Sequence, residues 1–211
     1  MRKYIVEFFG NFFLMISIVL SVNGSNSLLA PLTIGSMLTG AIYAGGHISG
    51  AHYNPAVTLA FWLRGKFDGK DFPGYLFAQF SASIVASIIG LFLLEDNAPI
   101  EASAFSNEEV ISAIVSEFLG TFVLVFVILS VATSKTTTGN QYYGLAIGLT
   151  VVGISYVFGG VSGGAFNPAV AIGFMVIKMM AWSNIWVFFI ACFGSSVFAA
   201  LIYNYIDPER N

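Results

Sequence analysis

Six stretches of this chain are each apolar for long enough to cross a lipid bilayer, which leaves few folds open. They lie at roughly residues 4–22, 30–48, 73–94, 110–132, 141–160 and 183–205. A hydrocarbon core about 30 Å thick takes ~20 residues of helix, and a helix satisfies its own backbone in lipid. The expected fold class is therefore an all-α membrane protein. Composition agrees: 57% of the 211 residues are hydrophobic and 9% are charged, against about 25% charged in a soluble domain. So few charges cannot cover a water-facing surface. A soluble enzyme, a nucleic-acid binder and a disordered chain are excluded. The net charge is −3, with no basic patch to track phosphates. Cys192 is the only cysteine, so no intrachain disulfide can form. A signal peptide would also begin with Arg2 and Lys3. Here, however, Glu7 sits early in the apolar run, and the run has a counterpart later in the chain.

Arg2, Lys3, Arg64, Lys66, Lys70, Lys135 and Arg210 all fall on one side of a six-span protein, and only Lys178 on the other. The loop at about 95–109 carries Glu95, Asp96, Glu101, Glu108 and Glu109 and no basic residue. The positive-inside rule then puts both termini in the cytoplasm, with the cell membrane as the expected location.

The sequence repeats. Residues 7–14, Glu-Phe-Phe-Gly-Asn-Phe-Phe-Leu, match 117–124 at five of eight positions, and Ser49–Val57 matches Ser162–Val170 at six of nine. Each half holds three spans, an odd number, so the second half enters the membrane from the opposite side. The expectation is one domain over 1–211, built of inverted repeats at about 1–95 and 108–207. Two apolar segments, 54–63 and about 167–179, are too short to span. Each begins Asn-Pro-Ala, where Asn suits an N-cap and Pro the first helical position. Asn54-Pro55-Ala56 and Asn167-Pro168-Ala169 thus start two half-helices. The glycine-rich stretches before them, 45–50 and 159–164, read as irregular backbone, which membrane depth tolerates only in packed protein or along a cavity. Inversion brings the two N-termini together at the midplane, with loop carbonyls as acceptors and both helix dipoles set against cations.

These paired motifs, the run Gly46-His-Ile-Ser-Gly-Ala-His-Tyr-Asn-Pro-Ala-Val-Thr58 and the Glu-Phe-x-Gly-x-Phe starts of spans one and four resemble the aquaporin family (major intrinsic proteins) over essentially the whole chain. The resemblance implies an aquaporin-like fold of six transmembrane helices and two re-entrant half-helices. It also implies passive passage of water and small neutral solutes such as glycerol, urea, ammonia or hydrogen peroxide, and a homotetramer in the bilayer. No enzyme activity, cofactor or nucleic-acid partner is expected. Asn54 and Asn167 become central donors, and Gly50, Ala51, His52, Gly163, Gly164 and Ala165 carbonyl suppliers. Glu7 and Glu117 brace the loops. His47 packs the loop, while His47 and His52, with no Cys or acid nearby, form no metal site.

One departure stands out. Where most of the family carries an arginine after the second Asn-Pro-Ala, this chain has Val170. Carried over by spacing, the selectivity filter is Ile34, Ser155 (Tyr156 if the register slips by one), Gly164 and Val170. Without charge, aromatic or histidine, it implies a wide, permissive mouth. Ala171, Phe188 and Phe189 are less typical of glycerol facilitators, so the subfamily is left open. Glycine pairs at 46/50, 144/148, 159/163 and 160/164 suit close helix contact. The Ser/Thr run 133–138 reads as a solvated cytoplasmic turn. Two alternatives remain: an occluded structural protein of the same fold, and a coupled secondary transporter using Glu7 and Glu117.

Overall fold

The computed structural model describes residues 1–23, 27–94 and 102–208. Glu95, Asp96, Glu101 and Arg210 lie outside the described residues. The helices are α1 (Arg2–Val22), α2 (Ala30–Ser49), α3 (Pro55–Leu63), α4 (Phe72–Leu93), α5 (Asn107–Thr133), α6 (Tyr143–Ser162), α7 (Pro168–Val176) and α8 (Ile185–Ile206), joined by short 3-10 turns. Among the described residues, six helices are long and apolar enough to cross a membrane. The two of nine residues, α3 and α7, are not. The expected spans agree with the six long helices to within three residues.

Local chemistry sets the helix ends. Pro31 and Pro73 stand in the first turns of α2 and α4, where a missing N–H costs nothing. A capping box opens α5: Ser106 Oγ accepts from the Glu109 N–H, and the Glu109 carboxylate accepts from the Ser106 N–H. Asn54 and Asn167 cap α3 and α7 by accepting from the Ala56 and Ala169 N–H groups at 2.8 and 2.9 Å.

Two expectations about backbone are corrected. Residues 45–49 and 159–162 are helical, so α2 and α6 run on to Ser49 and Ser162. Irregular backbone begins only at Gly50 and Gly163, which end the helices in the left-handed region at φ 83° and 91°. Gly45 is a packing glycine: a Cβ there would lie 2.0 Å from the Tyr53 hydroxyl. The segment 167–179 is also shorter in helix than expected. It stops at Val176, because Lys178 takes a left-handed φ of 59° while the Met179 N–H reaches back to the Phe174 carbonyl.

Packing follows the repeat. α1 lies against α2 and α4, α5 against α6 and α8, and α2 crosses α6 between the halves. The crossing is glycine-dependent: a Cβ on Gly148 would lie 1.8 Å from Thr39 Oγ1 and 2.5 Å from the Gly35 carbonyl. Gly144 also faces α2, through Tyr43, whereas Gly160 faces open space. The pairs at 144/148 therefore make helix contact, and 160/164 do not. The α2–α6 pair, with α1 and α5, encloses the space into which α3 and α7 enter.

Candidate functional site: a membrane-depth cavity between the repeats

The site is built from two strained loops, residues 50–53 and 163–166. Ala51, Tyr53 and Phe166 hold φ between 47° and 51°, and Gly164 holds 72°. Such angles cost energy in a non-glycine residue and persist only where surroundings impose them. The surroundings are two buried carboxylates. Glu7 accepts from the His52 and Tyr53 N–H groups at 3.0 and 2.7 Å, from Ser49 Oγ at 2.7 Å and from Gln79 Nε2 at 2.8 Å. Glu117 repeats this with the Ala165 and Phe166 N–H groups at 2.9 and 2.6 Å, Ser162 Oγ at 2.6 Å and the Cys192 thiol at 3.8 Å. Both glutamates are fully buried. Each loop thus turns its amides onto a carboxylate. Gly10 and Gly120 make room, since a Cβ on either would cut into the Tyr53 or Phe166 ring at 2.0 or 2.3 Å.

The two half-helices meet N-terminus to N-terminus. Asn54 Nδ2 donates to the Phe166 carbonyl and Asn167 Nδ2 to the Tyr53 carbonyl, both at 2.9 Å. Each asparagine thus caps its own helix and holds the other repeat's loop.

One cavity of about 770 Å³ runs along this junction. At one end it reaches Ser27 and Pro31, and at the other Lys66, Thr137 and Asn140. It brings together Asn54 and Asn167, the loop residues Gly50, Ala51, His52, Gly163, Gly164 and Ala165, and the set Ile34, Ser155, Gly164 and Val170. Tyr156 is half-exposed, and its hydroxyl donates to the Leu28 carbonyl at 3.1 Å. Span five therefore offers Ser155 to the cavity. Pro55, Ala56, Pro168 and Ala169 are buried in the helix starts, off the lining.

The expectation for His47 is corrected, while His52 lines the cavity as expected and also packs through its ring. His52 is the packing ring: it is buried against Phe61, Phe67 and Tyr75, with Nδ1 3.2 Å from Thr58 Oγ1. His47 is exposed and lines the cavity.

Sequence reasoning missed Arg64. Read there as a topology charge, it is fully buried at the end of α3. Its guanidinium donates to Thr133 Oγ1, Asn204 Oδ1 and the Asp207 carbonyl, pairs with the Asp207 carboxylate at 3.0 Å and lies over the Tyr203 ring. Only the repeat carries a signal, because the equivalent position in the second half is the apolar Ile177. Gln79 was missed too. It donates to both Glu7 and Thr58, and its equivalent is Cys192.

The family profile for the major intrinsic proteins matches residues 1–203. The chain is 32% identical to the Probable aquaporin NIP4-2 of Arabidopsis thaliana, over 97% of this chain and 74% of that protein. It is 34% identical to Nodulin-26 of Glycine max, over 98% and 78%. It is 32% identical to Aquaporin AqpM of Methanothermobacter thermautotrophicus, over 99% and 98%. Among solved structures, the aquaglyceroporin from Plasmodium falciparum superposes with a TM-score of 0.80 at 28% identity, covering 99% of this chain and 98% of that one. Six apolar membrane-length helices, two half-helices meeting at paired asparagines and a match along nearly the whole chain place this protein in the major intrinsic protein family, whose members are transport channels rather than enzymes.

Proposed function

We infer that the cavity is the conducting path of a passive channel for water and small uncharged solutes. The observation that carries this is the crossed pair of asparagines: each amide spends one N–H on the opposite loop, and both side chains face the cavity. An amide nitrogen has two hydrogens, so one remains for a passing solute. The loop carbonyls of Gly50, Ala51, His52, Gly163, Gly164 and Ala165 serve as acceptors. The N-terminal dipoles of α3 and α7 converge beside the asparagines and oppose cations and protons. Ile34, Ser155, Gly164 and Val170 form the outer filter. Having no fixed charge, it admits solutes with both apolar and polar faces.

Glu7 and Glu117 are positioning residues. Each carboxylate is engaged by four donors, which leaves neither of them open to a driving ion and favours passive flux over coupled transport. The protein is proposed to act in the cell membrane as a homotetramer, with both termini in the cytoplasm.

Vesicles containing the purified protein, followed by stopped-flow light scattering, test this reading. Osmotic water permeability is expected to exceed that of protein-free vesicles, with solute flux indifferent to an imposed sodium or proton gradient. Permeability equal to the protein-free control would support the occluded alternative, and gradient-dependent flux the coupled one.

A further inference from the structure

The halves of the cavity are lined by equivalent residues of the two repeats. Ala30–Ser49 recurs as Tyr143–Ser162, Pro55–Leu63 as Pro168–Val176 and Phe72–Leu93 as Ile185–Ile206, at a constant separation of 113 positions. At that separation, the outer residues Ile34, Ser155, Gly164 and Val170 correspond to Ile147, Ile42, Ala51 and Val57. These four line the same cavity, and Ile42, Val57 and Ile147 are buried. Because the repeats are inverted, they belong to its cytoplasmic half.

We propose that Ile42, Ala51, Val57 and Ile147 form a second, wholly aliphatic ring, and that this inner ring governs the passage of polar solutes. The proposal rests on the reading of the cavity as a conducting path. Two positions are identical between the rings, Ile34 with Ile147 and Val170 with Val57. Ala51 adds one methyl relative to Gly164. The one polar difference is Ser155 against Ile42. A solute entering either ring gives up hydrogen bonds to water. At the outer ring the Ser155 hydroxyl returns one, and at the inner ring no side chain does. The neighbouring loop residues are equivalent in the two halves, so their carbonyls are common to both rings. On the cytoplasmic side His47 of α2 and Tyr143 of α6 stand about one turn beyond Ile42 and Ile147, towards the mouth, and Lys66, Thr137 and Asn140 stand on the loops beyond the helices. Two barriers in series add as resistances, and the higher one controls the flux. With valine at position 170, no charge at the outer ring reverses that order.

The test compares water, urea and glycerol flux in vesicles carrying the wild type, Ile42→Ser and Ser155→Ile. One recovered hydrogen bond changes a barrier-crossing rate by a factor of about 2–10. Ile42→Ser is therefore expected to raise urea and glycerol flux by about 1.5- to 5-fold. Ser155→Ile makes the outer resistance equal to the inner one, so it lowers those fluxes by only about twofold. No gain from Ile42→Ser, or a loss from Ser155→Ile larger than that gain, overturns the proposal. Should Ile42→Ser fail to fold, Ile147→Val loosens the same ring by one methylene and is expected to raise glycerol flux more than water flux. An unchanged glycerol-to-water ratio in that variant also overturns it. Wild-type water flux at the protein-free level would sink the conduction reading separately. A closed wild type opened by Ile42→Ser would still support the inner ring, and one that stays closed would remove both.

Discussion

At the scale of single residues, buried acids in this protein act on backbone. Glu7 and Glu117 each gather two loop amides, a serine hydroxyl and a fourth donor, and so hold left-handed residues that would otherwise relax. Their part follows from the family resemblance, which the matching Glu-Phe-x-Gly motifs help to carry. The histidines are different. Whether His47 or His52 packs inward is decided by Phe61, Phe67 and Tyr75, which reach His52 from α3, the following loop and α4. No spacing rule within the loop contains that information. Val170 is readable as a type but not as an effect. It is buried at the first turn of α7 and lines the cavity beside Asn167. Val170→Arg brings a bulky charged donor into that space. It is expected to lower glycerol flux by about two- to fourfold, since a barrier ~1.4 kcal/mol higher at the outer ring adds in series to the inner one, and water flux by less. Equal loss of both in stopped-flow measurements would count against Val170 as a filter residue.

At the scale of elements, the half-helices show how one geometry arises from unlike residues. α3 and α7 end alike: the Lys66 N–H reaches the Phe61 carbonyl across left-handed Gly65, and the Met179 N–H reaches Phe174 across left-handed Lys178. Glycine announces such a stop and lysine does not, which is why the sequence predicts the end of α7 three residues beyond Val176. The same comparison makes a prediction. Lys178 bears a left-handed penalty of about 1 kcal/mol that glycine lacks. Lys178→Gly is therefore expected to leave thermal stability in detergent unchanged or raised, and Gly65→Ala to lower it by about 1 kcal/mol. A marked loss in Lys178→Gly would mean that the lysine side chain, not the backbone, holds that turn.

At the scale of the molecule, the halves are joined where the symmetry breaks. Arg64 belongs to the first repeat, and its partners Thr133, Asn204 and Asp207 to the second. Removing one side of a buried ion pair leaves the other uncompensated. Asp207→Ala is expected to cost about 3 kcal/mol. Arg64→Met, which removes the buried charge itself, should cost less. Thermal unfolding of the two purified variants checks the order, and the reverse order would make Arg64 a packing residue first.

Hydropathy and the repeat by themselves determined that six helices cross, that two half-length helices enter from opposite sides and that paired asparagines meet between them. Those conclusions follow from length against bilayer thickness and from an odd number of spans per half, quantities that need no partner residue. Only the tertiary structure decided that residues 45–49 and 159–162 stay helical, that Ser155 and not Tyr156 reaches the cavity, which histidine is buried and that Arg64 is a tie between halves. Each of these depends on which distant side chain fills the adjoining space, and that is settled by packing across the repeat rather than by pattern along the chain.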